Sequence, residues 1–463
     1  MATGFLHGVE VVEVDDGTRP LRAVQSAVIG VIGTAPYADE KAFPLNTPVL
    51  VTGSLSQAAK LDTTGRGEGT LPNAVDLIFK QVGAIVVVVR VEEGKDENET
   101  LTNVLGGVNA DGAYEGVHAF IGAQSLLGQT PRILIAPGFT HKRPTVVSRI
   151  DVINQGSDYT QASVKIEGNA KAEASMHGGK VNYIHMTDNG TDYHTAPNVT
   201  IEGDGTGATA KAEISTTSNP VAAELIGIAE RLRAIMVLDA PNTTDEAALS
   251  TAKDFDSKRA IIVDPFVKVN RDGKIIEQPA SAAVAGVIAK TDFTHGFWHS
   301  PSNKVINGIV GITRPIDFSI GDRSSRANLL NEQNITTIIR ENGYRLWGNR
   351  TLSSDTKFAF LSVVRTADMI NDAILRGHLW AVDRNIKKTY MNDVSESVNA
   401  YLRDLKAQGA ILGGRCTPDL ELNTASAIES GKVYFNVEFT PTTPAEHITF
   451  RSQIINDYLE EIF

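Results

Sequence analysis

The run AIVVVVRV, Ala84 to Val91, constrains the fold more than any other stretch of this chain. It is apolar without alternation, so a strand built from it has to be covered on both faces, as in a parallel sheet flanked by helices. VQSAVIGVIGTAP (Val24 to Pro36), RILIAPG (Arg132 to Gly138), AIMVLDAP (Ala234 to Pro241) and AIIVDPFVKV (Ala260 to Val269) read as further buried strands. Amphipathic stretches at Asn73–Val82, Val221–Arg233 and Asp245–Phe255 lie between them. Strands and helices therefore alternate as a doubly wound, mostly parallel α/β domain requires.

That alternation is interrupted between residues 144 and 220, where Gly, Asn, Asp and Thr accumulate and an internal repeat appears. NQGSDYT (Asn154–Thr160), VKIEG (Val164–Gly168) and AKAEAS (Ala170–Ser175) recur as DNGTDYH (Asp188–His194), VTIEG (Val199–Gly203) and AKAEIS (Ala210–Ser215). Each copy reads as strand, turn, strand, anchored by Tyr159 or Tyr193. The pattern implies a small all-β module inserted into the α/β body, and closely spaced ends make such an insertion tolerable. Its acidic turns lack the D-x-D-x-D-G spacing of a calcium loop.

Beyond the body, Leu330 to Arg350 reads as a helical run passing into a compact apolar block, with Ile335, Ile338 and Ile339 lining one face and Gly343 free to take a positive φ. Val363, Ala367, Ile370 and Ile374 form one helical stripe, and Val394, Val398, Tyr401, Leu402 and Leu405 form another. Lys432 to Thr440 alternates, Val433, Phe435, Val437 and Phe439 against Tyr434, Asn436 and Glu438, and a second run covers His447 to Ile455. At the other end, Phe5 to Val14 alternates as a strand without an evident partner, Val9 and Val11 opposite Val12 and Val14.

Chemistry is sparse. Asp239 and Asp264 lie at strand ends, where open α/β sheets carry ligands, and His295 and His299 come after a helix over Ala282–Lys290. No Gly-x-Ser-x-Gly elbow accompanies them. Gly30, Gly33 and the Gly203–Gly207 run complete no phosphate loop and read as turn glycines. Cys416 is the single cysteine, so neither an internal disulfide nor a cysteine-built metal site can form. The net charge of −12, with no concentrated basic patch, argues against direct nucleic-acid binding. No apolar run approaches a membrane span. Neither a cofactor nor a catalytic residue is assigned, and an α/β hydrolase or nucleotide-binding enzyme with a β accessory module is the alternative reading.

Two blocks resemble contractile phage tail sheath proteins. In LNEQNITTIIRENGYRLWGNRTLSSDTKFAFLSVVRTADMINDAI, Leu330 to Ile374, the family's Trp-Gly-x-Arg-Thr-Leu pattern falls on Trp347, Gly348, Arg350, Thr351 and Leu352. In PASAAVAGVIAKTDFTHGFWHSPSNKVINGIVGI, Pro279 to Ile312, Ala285-Gly286, Asp292, Gly296, Trp298 and Pro301 stand in the matching order. The resemblance extends to both ends and omits residues 144–220.

It implies an N-terminal arm (1–22), an α/β body (23–143 and 221–325), the inserted module (144–220), which projects outward, and a smaller C-terminal α+β domain with extended terminal strands and an arm (326–463). It further implies a subunit of a helical homopolymer around a tail tube protein, meeting baseplate and tail terminator proteins, made in the host cytoplasm and carried in the virion tail. The arms that link subunits are expected to include Val9, Val11, Val12, Val14, Val433, Tyr434, Phe435, Val437, Phe439, Tyr458 and Leu459.

Overall fold

A computed structural model describes Leu21 and residues 25–455. In chain order the elements used below are β1 (Val28–Thr34), β2 (Val49–Thr52), α1 (Leu71–Phe79), β3 (Ile85–Val91), α2 (Glu97–Leu105), α3 (Ala119–Leu127) and β4 (Ile133–Ile135). The insert supplies β5 (Thr145–Ser157), β6 (Ala162–Ile166), β7 (Lys171–His177), β8 (Lys180–Asp188), β9 (Val199–Gly203) and β10 (Thr206–Thr216). Then come α4 (Pro220–Leu232), β11 (Ile235–Asp239), α5 (Asp245–Lys253), β12 (Ala260–Val263), α6 (Ser281–His295), α7 (Arg326–Glu332), β13 (Ile335–Arg340) and β14 (Tyr344–Trp347). The last are α8 (Leu361–Gly377), α9 (Lys388–Ala407), β15 (Ile411–Pro418), α10 (Ala425–Glu429) and β16 (Phe435–Pro441).

The eight-stranded sheet runs β14-β13-β12-β11-β4-β1-β3-β2, parallel except for β14 and β2 at its edges. The chain is thus a mixed α/β protein with one mostly parallel sheet and several small antiparallel ones. The valine run makes β3, whose Val86 and Val88 join the core on one face while Val87, Val89 and Val91 join the core on the other. Helices α1 and α6 cover the first face, and α3, α4, α5 and α7 the second. Each strand side chain leaves water whichever way it points, which is why the run needs no alternation.

Several readings are corrected. Leu330 to Arg350 is not a helical face: after α7 it becomes two sheet strands, with Ile335 and Ile339 in one core and Ile338 in the other, as a period of two demands. Gly343, at φ +104°, makes the turn between them. The run Ala260–Val269 divides at Asp264-Pro265, since β12 ends at Val263 and Val267–Arg271 joins a separate three-stranded sheet. Gly30 and Gly33 are strand residues, not turn residues. A Cβ on Gly30 would meet Leu134, Phe120 and Pro131 at 2.9 Å, so glycine is what lets α3 approach β1.

The insert does not form two separate strand–turn–strand units. Copy one gives β5, β6 and β7, copy two gives β8, β9 and β10, and every ladder joins one copy to the other: β5 with β10, β6 with β9, β7 with β8. The two tyrosines complete the exchange. Tyr193 accepts backbone hydrogen bonds from Ala170 (2.8 Å) and Asn169 (3.1 Å) of copy one, and Tyr159 accepts one from Ala208 (3.4 Å) of copy two. Val147, Ile150, Val181 and Ile184 fill the core around them. Asn98 on α2 donates to Asp192 at 2.7 Å and ties the module to the body.

The described residues separate into two compact units, one of residues 25–297 and 301–368, the other of Leu21, 298–300 and 369–455. The sheet continues through β13 and β14, so the body passes the boundary expected at 325/326. In the smaller unit β15 and β16 form an antiparallel ribbon, Cys416 opposite Val437 and Gly414 opposite Phe439. Helix α9 backs it: Asn399 accepts from the Cys416 N–H (2.7 Å) and donates to its carbonyl (3.0 Å).

Candidate assembly surfaces

An open α/β sheet offers a ligand crevice where the strand order reverses, here between β1 and β4, beyond their carboxyl ends. In this chain the place is filled. The Thr34 N–H donates to Thr70 Oγ1 (3.1 Å), and the Thr70 N–H donates back to Thr34 Oγ1 (3.3 Å). A Cβ on Gly33 would lie 2.0 Å from Thr70 Oγ1, and Thr70 Cγ2 sits 3.3 Å from the Cβ position of Gly138 after β4. Thr70, leading into α1, is packed where a ligand would enter.

The acids at the strand ends are committed to the fold. Asp239 accepts from both the N–H (2.8 Å) and the hydroxyl of Ser281, the first residue of α6, so its carboxyl group caps the start of that helix. Burial pushes its pKa up to about 7 against the opposing Ser281 hydrogen bonds. Asp264 is raised to about 6 by burial, opposed by its ion pair with Arg314. Arg314 also reaches Asp245 (2.9 Å), which Arg326 grips with two nitrogens. His295 is the last residue of α6, about 21 Å along the helix from Ser281. Asp239 and His295 therefore occupy opposite ends of one helix, too far apart for proton transfer. His299 stacks at 5.6 Å from Trp298.

The Trp347–Leu352 motif locks the sheet edge to the segment that leads into α8. The Trp347 ring meets Phe318 edge-on at 4.8 Å, and its carbonyl accepts from Asn331 (3.0 Å). A Cβ on Gly348 would stand 2.9 Å from the Thr336 backbone, and its φ of +138° also suits glycine. Arg350 lies over the Phe360 ring at 5.3 Å. Thr351, fully buried, donates to the Phe358 carbonyl (2.7 Å), and the Leu352 N–H donates to the Ala260 carbonyl (2.9 Å). All five motif residues act in packing.

Of the arm residues, Val9, Val11, Val12, Val14, Tyr458 and Leu459 lie outside the described residues. Strand β16 begins at Phe435, so Val433 and Tyr434 precede it. Phe435, Val437 and Phe439 are half-buried, on the face shared with Cys416 and covered by α9, while Tyr434 is exposed. After β16 the chain enters no element up to Ile455. Here Phe450 is 90 % exposed and Ile454 98 %, and with Ile448 they recur at every second or fourth residue. Such spacing places them on one side of an extended chain.

Sequence reasoning missed the buried charges of α8. Arg365, 4 % exposed, forms a two-pronged ion pair with Asp292 of α6, and Asp368 pairs with Arg259. Their helical spacing on the stripe Leu361, Val364, Arg365, Asp368, Met369 was the available signal, hidden because charged residues are read as solvent-facing.

The strand-end carboxylates are thus taken up by packing, the crevice is filled, and the apolar side chains of Ile448, Phe450 and Ile454 stand exposed outside any element. The family model of the phage tail sheath protein central domain matches residues 208–352, and that of the phage tail sheath C-terminal domain matches residues 353–455. A prophage major tail sheath protein of Pseudomonas aeruginosa is 40 % identical over 461 residues, 99 % of this chain and 98 % of that one. The tail sheath protein of Escherichia phage P2 is 29 % identical over 467 residues, with coverage of 99 % and 98 %. Among solved structures, the helical sheath of the anti-feeding prophage in its contracted state superposes with a TM-score of 0.61 at 17 % identity, covering 97 % of this chain and 99 % of that one. The chain belongs to the phage tail sheath protein family. That family gives the hydrolase or nucleotide-binding alternative no support.

Proposed function

We propose that the chain polymerises into a helical sleeve around a tail tube, and that a concerted change in subunit packing shortens the sleeve and drives the tube through a host envelope. Neighbours in the tail would be the tube protein and the baseplate and terminator proteins, with assembly in the host cytoplasm and no direct contact with nucleic acid or membrane lipid. Among the described residues no helix is long and apolar enough to cross a membrane.

The observation that carries the reading is the exposed segment His447–Ile455, which follows a two-stranded ribbon in the chain. A ribbon of two strands has unpaired N–H and C=O groups along both outer edges and is marginal in water. A segment outside any element that exposes Ile448, Phe450 and Ile454, three of the four side chains that an extended conformation would put on one side, is suited to pair with such an edge on another copy. Because Phe435, Val437 and Phe439 face α9, the linking groups of β16 are its backbone edge and not those side chains. The N-terminal arm, with Val9, Val11, Val12 and Val14, and Tyr458 and Leu459 at the other end, are assigned the same role. A contact of this kind, repeated without closing, generates an open helix.

Truncation tests this. Removal of residues 1–16, or of 442–463, should leave a folded monomer that forms no long sleeves by electron microscopy. Ordered tubes of normal length from either truncated chain would remove that arm from the account.

A further inference from the structure

The smaller unit carries two exposed patches of opposite charge that no strand-exchange scheme uses. One is the connection between β15 and β16, residues 419–434. Asp419 accepts from the N–H groups of Glu421 (2.9 Å) and Leu422 (2.8 Å), and from the Asn436 side chain (2.9 Å). Asn423 both donates to the Tyr434 carbonyl and accepts from its N–H, each at 2.8 Å. These hydrogen bonds hold Leu420 almost wholly in water, 91 % exposed, in a connection that also carries Leu422, Asp419, Glu421 and Glu429 against one cation, Lys432. An apolar residue fixed in place by five polar contacts is preorganised for docking.

The other patch is the passage from α8 to α9. Leu379, 77 % exposed, lies in one stretch of chain with Leu375, Val382, Arg384, Lys387 and Lys388, where Asp383 is the single acid between Val382 and Lys388. Arg384 is steadied over the Trp380 ring at 5.1 Å. None of these three cations, and neither Glu421 nor Glu429, has an ion-pair partner among the described residues.

The two patches belong to one end of the unit. Asn399 brackets Cys416, and the Cβ position of Gly414 lies 3.2 Å from Leu402, so β15 runs antiparallel along α9 and delivers Asp419 toward the end where Lys388 begins the helix. We infer that the acidic, Leu420-tipped loop of one copy seats on the basic, Leu379-bearing segment of the next. Charge complementarity selects a second copy of this chain, because each subunit carries both halves of the contact and the same contact can repeat around the assembly. The inference rests on the helical-sleeve reading above, and it adds a contact made by side chains to one made by backbone.

Charge reversal in the full-length chain separates the possibilities. The pair Glu421→Lys with Glu429→Lys, and separately Lys387→Glu with Lys388→Glu, should each lower the polymer recovered by sedimentation about tenfold, more at low salt than at high. Combining all four should restore it, with tubes visible in micrographs and cooperative unfolding unchanged in every variant. A quadruple variant no better than the double ones overturns the contact. Double variants that polymerise normally but lose a co-expressed tail tube overturn it in favour of a tube-facing surface. If the unaltered chain forms no polymer, both this contact and the sleeve reading fail; if only the variants behave unexpectedly, the sleeve reading survives.

Discussion

At the scale of single residues, the most consequential groups are charged side chains in places the apolar pattern assigns to the core. Arg365 and Asp292 are 4 % and 2 % exposed at the side chain, so removing one leaves the other charge buried without its partner. Asp292→Ala should cost about 3–5 kcal/mol in a denaturant melt. A loss under about 1 kcal/mol would mean that water reaches Arg365. Tyr401 is the opposite case. It is buried, its hydroxyl has no hydrogen-bond partner among the described residues, and burial pushes its pKa to about 12. Tyr401→Phe removes a desolvated hydroxyl that bonds nothing, and stability should stay the same or rise by up to about 1 kcal/mol.

Asp239 gives a pH dependence. Its folded pKa, about 7, lies above the ordinary 3.8, so between those values the folded chain holds a proton that the unfolded chain has lost. Stability from this group is therefore present at low pH and declines as pH rises toward 7. Acids with lowered pKa, such as Asp245, act in the other direction but have finished titrating by about pH 5. Between about pH 5 and 7 Asp239, like the raised Asp264, contributes a negative slope of unfolding free energy, which His141, lowered by burial, opposes, so Asp239→Asn should shift the slope in the positive direction. An unchanged slope in that variant would assign it to another group.

Among elements, the central strands were legible in the sequence because burial on both faces leaves an unmistakable run. The helices between them were legible for the same reason, by a different period. What stayed hidden was anything decided by a distant partner. The valine run announces β3 but not that β1 sits beside it, and AIIVDPFVKV gives no local sign that its two halves join different sheets. The repeated tyrosines and VxIEG strands of the insert revealed a duplication. They could not reveal that the copies exchange strands, since either pairing buries the same side chains. That exchange gives a prediction: Tyr193→Phe strips the acceptor from two backbone N–H groups of the other copy and should destabilise the module by about 1–3 kcal/mol, read as faster amide exchange in β7 and β8. Unaltered exchange would show that water replaces the hydroxyl.

For the molecule as a whole, the motif Trp347–Leu352 was recognisable without its purpose being so. It closes the sheet edge onto α8, whose Leu361 N–H donates to the Asn349 carbonyl at 2.9 Å, and so fixes where the body ends. At the switch point of the sheet, where the sequence offers no catalytic motif, Thr70 packs against Thr34, Gly33 and Gly138. The apolar side chains left exposed between Ile448 and Ile454 are the feature that a single subunit does not explain. In one chain, Phe450 and Ile454 are exposed with nothing to cover them within the described residues, a cost that assembly would relieve.

Amide hydrogen exchange, compared between monomer and polymer over His447–Ile455, tests that claim most directly. Strand addition predicts fast exchange in the monomer and strong protection at alternate amides in the polymer, where every second N–H faces the acceptor strand. Polymers in which His447–Ile455 exchanges as fast as in the monomer would contradict it.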